Sequence, residues 1–282
     1  MSNFKAIETH YHGCRFRSRT EARWAVFFDT LGVPWEYERE GYVLEGMSYL
    51  PDFWLAKQDS FVEIKGQEPT EDELIKARLL SLYTQKIVCI LYGPVEIPSG
   101  NWLNSYIFVP PTVWKYQEDE RLPGGPSTTK MDVPPHVLAI MQGLWDHNVQ
   151  FSIEPDGRFT FFSCIDPFLS GGIDGIIEDL NTQSAGLQKY KDRIETYKED
   201  IQKALYLEPG WTYDYLSQSD YDEDCQWVEC KRCGEFELSA SWRKGHKCKD
   251  ESNGDFMPHS PRIQEAYTAA RSARFEFGEK GR

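Results

Sequence analysis

Leu50-Pro51-Asp52-Phe53-Trp54-Leu55 and, a few residues on, Ser60-Phe61-Val62-Glu63-Ile64-Lys65-Gly66 are the stretch on which the fold turns. Both are apolar runs with polar interruptions, the pattern of largely buried strands. Strand side chains alternate faces, so Glu63 and Lys65 point one way while Ile64 points into a core. Asp52, on the adjacent strand, can join them. Two carboxylates and an ammonium placed mid-strand are costly to fold unless they perform chemistry. A cluster of that kind holds Mg²⁺ or Mn²⁺ through carboxylate oxygens, and the lysine can orient or activate a water.

Outward from this stretch, residues 17–31 read as an amphipathic helix. Ala22, Ala25, Val26, Phe28 and Leu31 lie on or near one face, and Gly32 ends it. Residues 35–44 read as a strand ahead of the two motif strands. Residues 71–83 read as a second helix, with Leu74, Ala77, Leu80 and Leu82 as its apolar positions, and residues 86–92 (KIVCILY) suit a buried strand. The resulting order is αβββαβ.

With Asp52, then Glu63 and Lys65, set in that order of elements, the chain resembles the PD-(D/E)xK nuclease superfamily over residues 10–110. The resemblance implies an α/β, restriction-endonuclease-like core and Mg²⁺-dependent hydrolysis of DNA phosphodiesters. Asp52 and Glu63 would hold the metal, and Lys65 would position or activate the attacking water. In branches such as the Holliday-junction resolvases and the TnsA-type transposition nucleases, a glutamate on the first helix completes the metal site. Glu21 stands at the matching position. Its plainer reading is an ion pair with nearby arginines on a solvated helix face. Arg17, Arg19 and Arg23 cluster around it and could form a positive lip for substrate. Gln67 would face the same site if the strand ran on past Gly66.

Composition sets the outer bounds. A chain of 282 residues accommodates two or three domains, and 40 % hydrophobic with 14 % aromatic residues is ample for packed cores. No apolar run is long enough to span a membrane, and the N-terminus lacks the apolar centre of a signal peptide, so a soluble, cytoplasmic protein is expected. Its seven cysteines are then expected as thiols or metal ligands rather than disulfides. The net charge of −14 opposes general binding to nucleic acid. Residues 1–109 hold 11 Lys and Arg against 15 Asp and Glu, and the rest of the chain 20 against 30, so the acidity lies mainly outside the nuclease-like region.

The expected organisation is a nuclease-like domain at residues 1–116, a Pro/Gly/Ser-rich linker at 117–130 and a middle region at 131–220. A zinc module at 221–256 and a helical tail at 257–282 complete it. Residues 136–145 suit a short helix and 151–162 a hairpin. Residues 187–204 carry a narrow apolar seam, which packs on its own domain or pairs with a second subunit or another partner. Cys230-Lys231-Arg232-Cys233, followed by His246 and Cys248, offers four N/S ligands in two close pairs, a set suited to tetrahedral Zn²⁺ in a structural role. A redox CxxC is the main competitor. Residues 263–277 read as a helix bearing Arg271 and Arg274, similar to tails of phage and bacterial proteins. The expected function is a metal-dependent endonuclease. The alternative is a catalytically silent, zinc-dependent protein for nucleic-acid binding or assembly.

Overall fold

A computed structural model describes residues 7–97, 103–117, 129–145, 149–153, 159–163, 185–205, 211–216, 220–221, 225–240 and 256–275. Thr9–Tyr11 (β1) and Cys14–Phe16 (β2) pair antiparallel. Ser18 caps helix α1, Arg19–Leu31, by accepting from the Glu21 N–H, and Gly32 ends it at φ 68, a left-handed conformation that glycine adopts without steric cost. Then come Glu36–Tyr37 (β3), the hairpin Tyr42–Leu44 (β4) and Met47–Tyr49 (β5), Phe53–Leu55 (β6) and Ser60–Lys65 (β7). Helix α2, Glu71–Thr84, leads to Ile87–Tyr92 (β8) and Ser105–Phe108 (β9).

The chain next builds Thr112–Gln117 (β10), Thr129–Lys130 (β11), helix α3 at Pro135–Trp145, and the antiparallel pair Val149–Ile153 (β12) and Phe159–Ser163 (β13). Helices α4, Ala185–Thr196, and α5, Lys198–Ala204, precede Trp211–Leu216 (β14). Asp220–Tyr221 (β15), Cys225–Cys230 (β16), Phe236–Ala240 (β17), Phe256–Met257 (β18) and helix α6, Pro261–Ser272, follow.

Residues 1–80, 86–108 and 220–282 form one compact unit, and residues 81–85 with 109–219 form another. The mixed α/β first unit is built on a six-stranded sheet ordered β15-β9-β8-β7-β6-β3. Its β7 and β8 run parallel, with α2 as the crossover, and the other neighbours are antiparallel. The expected αβββαβ order is present, with an added hairpin. The single strand expected at 35–44 is split at Glu38, which turns the backbone to φ 46 after a last bond from its N–H to the Asp52 carbonyl at 2.8 Å.

The C-terminal segments belong to the first unit, unlike the separate module and tail expected. Trp227 of β16 is 1 % exposed, with its ring 5.7 Å from those of both Phe27 and Phe28 on α1. The Tyr267 ring of α6 lies 4.6 Å from that of Phe27, tilted by 50°. Burying aromatic surface of that size is worth several kcal/mol, so these late elements complete the core of the early ones.

In the second unit, β10 pairs with both β11 and β14. Its core gathers Val137, Ile140, Met141 and Leu144 of α3 with Tyr190, Ile194, Ile201 and Leu205. Gly143 permits the approach of α3 to α4: a Cβ there would overlap the Tyr190 ring. The continuous helix expected over this seam breaks at Tyr197. Of the two readings of the seam, packing on its own domain holds for Tyr190, Ile194 and Ile201, which are buried in the unit's core. Among the described residues, no helix is long and apolar enough to cross a membrane.

Candidate active site

One step beyond the Phe53–Val62 pair of the β6–β7 ladder, Asp52 stands opposite Glu63. The two are tied together: the Asp52 N–H donates to Glu63 Oε2 at 3.1 Å, and the Ile64 N–H donates to Asp52 Oδ2 at 2.8 Å. Both carboxylates are buried, at 2 % and 3 % exposure. Lys65, two residues along the same face, donates to Glu63 Oε1 at 2.8 Å. Its ammonium also lies 3.0 Å from Glu73 Oε1, in the first turn of α2. Arg17 reaches in from the turn before α1, with Nη2 2.6 Å from Asp52 Oδ1 and Nε 2.8 Å from Glu38 Oε1.

Glu21 is buried beside this group at 6 % exposure. Its oxygens accept from Ser18 Oγ at 2.7 Å, the Tyr37 hydroxyl at 2.6 Å and the Arg17 N–H at 3.1 Å. It does not sit on a solvated face, and its ties are to hydroxyls and backbone, not to arginine side chains.

The electrostatics follow from burial. The Asp52 carboxyl is pushed well above the usual carboxylate range, first by desolvation, then by the charges of Glu63 and Glu21. The Ile64 N–H and Arg17 pull it back only in part. Desolvation alone would lower the Lys65 pKa, but Glu63 and Glu73 outweigh it and raise the value to about 12. Lys65 is therefore an ammonium at neutral pH and takes no proton from water. It can position a water and offset negative charge. The Tyr49 hydroxyl is also pushed up, by burial and then by the charges of Glu63 and Asp52.

Arg17, Tyr49, Glu63, Lys65, Glu73 and Lys76 line a cleft of about 560 Å³, with the β4–β5 hairpin as one wall, while Asp52 and Glu21 are not part of that lining. Compared with protein-family models, with curated proteins and with solved structures, the chain matches none.

The expected residues are thus brought together at Asp52, Glu63 and Lys65, with Glu21 and Arg17 adjoining. Gln67 is not gathered in. The strand ends at Lys65, and Gln67 is exposed on the bend beyond it, away from the cleft lining. Arg19 and Arg23 do not line the cleft either. The roles of Tyr37, Tyr49 and Glu73 escaped the sequence reading. Two of the holding devices were readable as capping boxes, Ser18-x-x-Glu21 and Thr70-x-x-Glu73. In the second, the Thr70 N–H donates to Glu73 Oε2 at 2.9 Å, which aims the other oxygen at Lys65.

Cys230 ends β16 and is buried, while Cys233 is exposed in the turn that leads into β17. The Gly234 N–H donates to the Cys230 carbonyl at 2.8 Å, so the CxxC forms the tip of the β16–β17 hairpin. His246 and Cys248 lie outside the described residues.

Among the described residues, no group of three or more His, Cys, Asp or Glu side chains could hold a metal ion as it stands. The reason is visible in the contacts. Arg17 engages Asp52, Lys65 engages Glu63, and Glu21 turns its oxygens to Ser18, Tyr37 and the Arg17 N–H. The Asp52–Glu63 pair nevertheless fits a hard divalent cation. It offers buried oxygen donors whose mutual repulsion a cation would relieve, and Mg²⁺ is commonly held by one or two carboxylates with water and phosphate completing the shell.

A consequence for stability can be measured. Because folding raises the Asp52 pKa, ionising this group favours the unfolded chain. Stability is therefore lost as pH rises from the usual carboxylate range to the elevated folded value. Asp52→Asn removes that cost, and its Tm in EDTA at neutral pH should exceed the wild-type value by about 2–4 °C, roughly 1 kcal/mol. Thermal melts by circular dichroism check this. A fall in Tm would mean that the Arg17–Asp52 attraction outweighs the repulsion between the acids.

Proposed function

We propose that the protein is a metal-dependent endonuclease that hydrolyses phosphodiester bonds of DNA. The observation that carries this reading is the buried Asp52–Glu63 pair with Lys65 and Arg17 at the mouth of one cleft. Mg²⁺ or Mn²⁺ held by Asp52 and Glu63 would act as a Lewis acid on the phosphate and lower the pKa of a bound water. Lys65, fixed as an ammonium between Glu63 and Glu73, positions the attacking water and steadies the charge that develops on the phosphate. Arg17 is placed to exchange part of its pairing with Asp52 for a phosphate oxygen, for which its planar fork is suited. Glu21, through the Arg17 N–H and Tyr37, keeps that approach in register and adds its charge to the field at Asp52. It is the third acid of the site, either from that position or, after a shift of its side chain, as a further metal ligand. Lys76 on the cleft wall would meet the adjoining backbone. DNA is favoured over RNA by the resemblance to the PD-(D/E)xK superfamily, and the cytoplasm is the compartment where such a substrate and reduced cysteines coincide.

Plasmid, single-stranded and branched DNA, each incubated with the purified chain in Mg²⁺, Mn²⁺ or EDTA, test the reading. Cleavage of at least one substrate with metal, and none in EDTA, is expected. Its absence from all of them would overturn the proposal.

A second reading is a silent, zinc-dependent protein that binds nucleic acid. It is favoured by the arginine and lysine that already neutralise the two acids. Zinc belongs to both readings, with Cys230, Cys233, His246 and Cys248 as its four ligands. The hairpin tip that carries Cys230 and Cys233 is clamped: Arg262 donates to Glu229 Oε1 at 2.8 Å and to the Gly234 carbonyl at 3.1 Å, and Gln58 Nε2 donates to the Phe236 carbonyl at 3.1 Å. Elemental analysis should find one zinc per chain, lost in Cys233→Ser, with a lower Tm but metal-dependent cleavage retained where the chain stays folded. A folded wild-type protein free of zinc would assign the cysteines another role.

A further inference from the structure

The packing of α6 on α1 creates a second concave site in the first unit. Small residues let the two helices approach: Ala22 and Ala25 on α1 and Ala266 and Ala270 on α6 are fully buried, and Tyr267 packs against Phe27 and Trp24. At the open end of this seam lies a cavity of about 160 Å³, lined by Thr20 and Arg23 of α1, Pro94, Val95 and Glu96 of the segment after β8, and Arg271 of α6. Arg271 is exposed, Arg23 and Thr20 are half-buried, and the one carboxylate, Glu96, is exposed at the rim.

Two guanidiniums and a hydroxyl converging on a small pocket are the chemistry of a tetrahedral oxyanion. Arginine presents paired N–H donors that match phosphate oxygens, and threonine adds a third donor. A lining of two guanidiniums and a hydroxyl suits an anion better than an apolar anchor. Its place on the chain relates it to the cleft. Thr20 and Arg23 lie three apart on one face of α1 and bracket Glu21, which points from another face toward Asp52. A rigid helix turn thus links the two sites.

We propose that this cavity is a phosphate-binding site that grips the substrate's sugar–phosphate backbone away from the bond being cut, with Arg271 and Arg23 as the phosphate contacts. The inference rests on the nuclease reading for its substrate, but not for its chemistry. It gives the C-terminal helix a function and supplies local positive charge that the net charge of −14 otherwise withholds.

The test measures binding, in EDTA, of the full chain to a short fluorescein-labelled DNA duplex over a range of salt concentrations. Arg271→Ala should weaken binding about three- to tenfold and make the slope of log K against log[salt] shallower by about 1, the mark of one lost phosphate contact. Arg271→Lys should restore most of the slope, and Glu96→Gln should tighten binding. Arg271→Gln, with a thermal melt, stands in if the alanine variant fails to fold. Weaker binding with an unchanged slope would reduce Arg271 to a packing role and overturn the proposal, as would unchanged binding. Calorimetry with inorganic phosphate forms the second arm. Phosphate binding that depends on Arg271, with duplex binding unaffected, would assign the site to a free anion and overturn the nucleic-acid assignment. Failure of the nuclease reading shows separately, as absence of cleavage by the wild type with Mg²⁺ or Mn²⁺ whatever the salt slopes.

Discussion

Asp52→Asn and Glu63→Gln are each expected to lower Mg²⁺-dependent cleavage by at least about 1,000-fold, while duplex binding in EDTA changes by less than about twofold. The amides keep the shape of the acids and the acceptors for the Ile64 and Asp52 N–H groups, but remove the negative oxygen that a divalent cation requires. Single-turnover cleavage assays measure the loss. Because Asp52→Asn should also melt at a higher temperature than the wild type, lost activity cannot be ascribed to unfolding. Wild-type cleavage by Asp52→Asn would remove the metal site from the proposal.

Lys65→Ala should lower kcat by about 100- to 1,000-fold with KM nearly unchanged, since an ammonium aimed at charge that develops in the transition state adds little to ground-state binding. Lys65→Arg keeps the charge in a different shape and should recover only part of the rate. The pH profile separates the roles open to this lysine. With a pKa raised to about 12, Lys65 stays charged across the neutral range, so its removal should scale the profile without changing its shape. A limb that disappears in Lys65→Ala would identify it as the general base instead. Glu73→Gln takes away one of its two carboxylate partners and should lower the rate less than Lys65→Ala.

The core of the first unit could be read directly because its signals are local. A six-residue alternation fixes the face of Glu63 and Lys65, Ser18 and Gly32 bracket α1, and the β-rich run KIVCILY suits a buried strand. The identity of the acids and the lysine, and their spacing along β6 and β7, were likewise legible. Other features were not, because they depend on residues far apart in the chain. Nothing in the run from 35 to 44 announces that Glu38 would enter a left-handed conformation and divide the strand. The apolar seam of α4 and α5 has the same spacing whether it faces its own unit or a partner. Only the burial of Tyr190, Ile194 and Ile201 within the second unit decides between them.

What the sequence by itself determined is the two acids, the lysine and the strands that carry them, since strand period and helix capping are properties of neighbouring residues. What only the tertiary structure decided is how those groups are charged and held. Arg17 pairs with Asp52 across 35 positions, Glu73 shares Lys65 with Glu63, and Glu21 is turned to Tyr37 and Ser18. The rise in the Asp52 pKa comes from burial and from carboxylates on other elements, which no local pattern encodes. The final helix shows the same division. Arg271 was legible in the chain, but its convergence with Arg23 arises only because Tyr267, Ala266 and Ala270 bury against α1 and carry it to the cavity. Packing of apolar surface is non-directional, and it brings together charged groups that share no sequence neighbourhood.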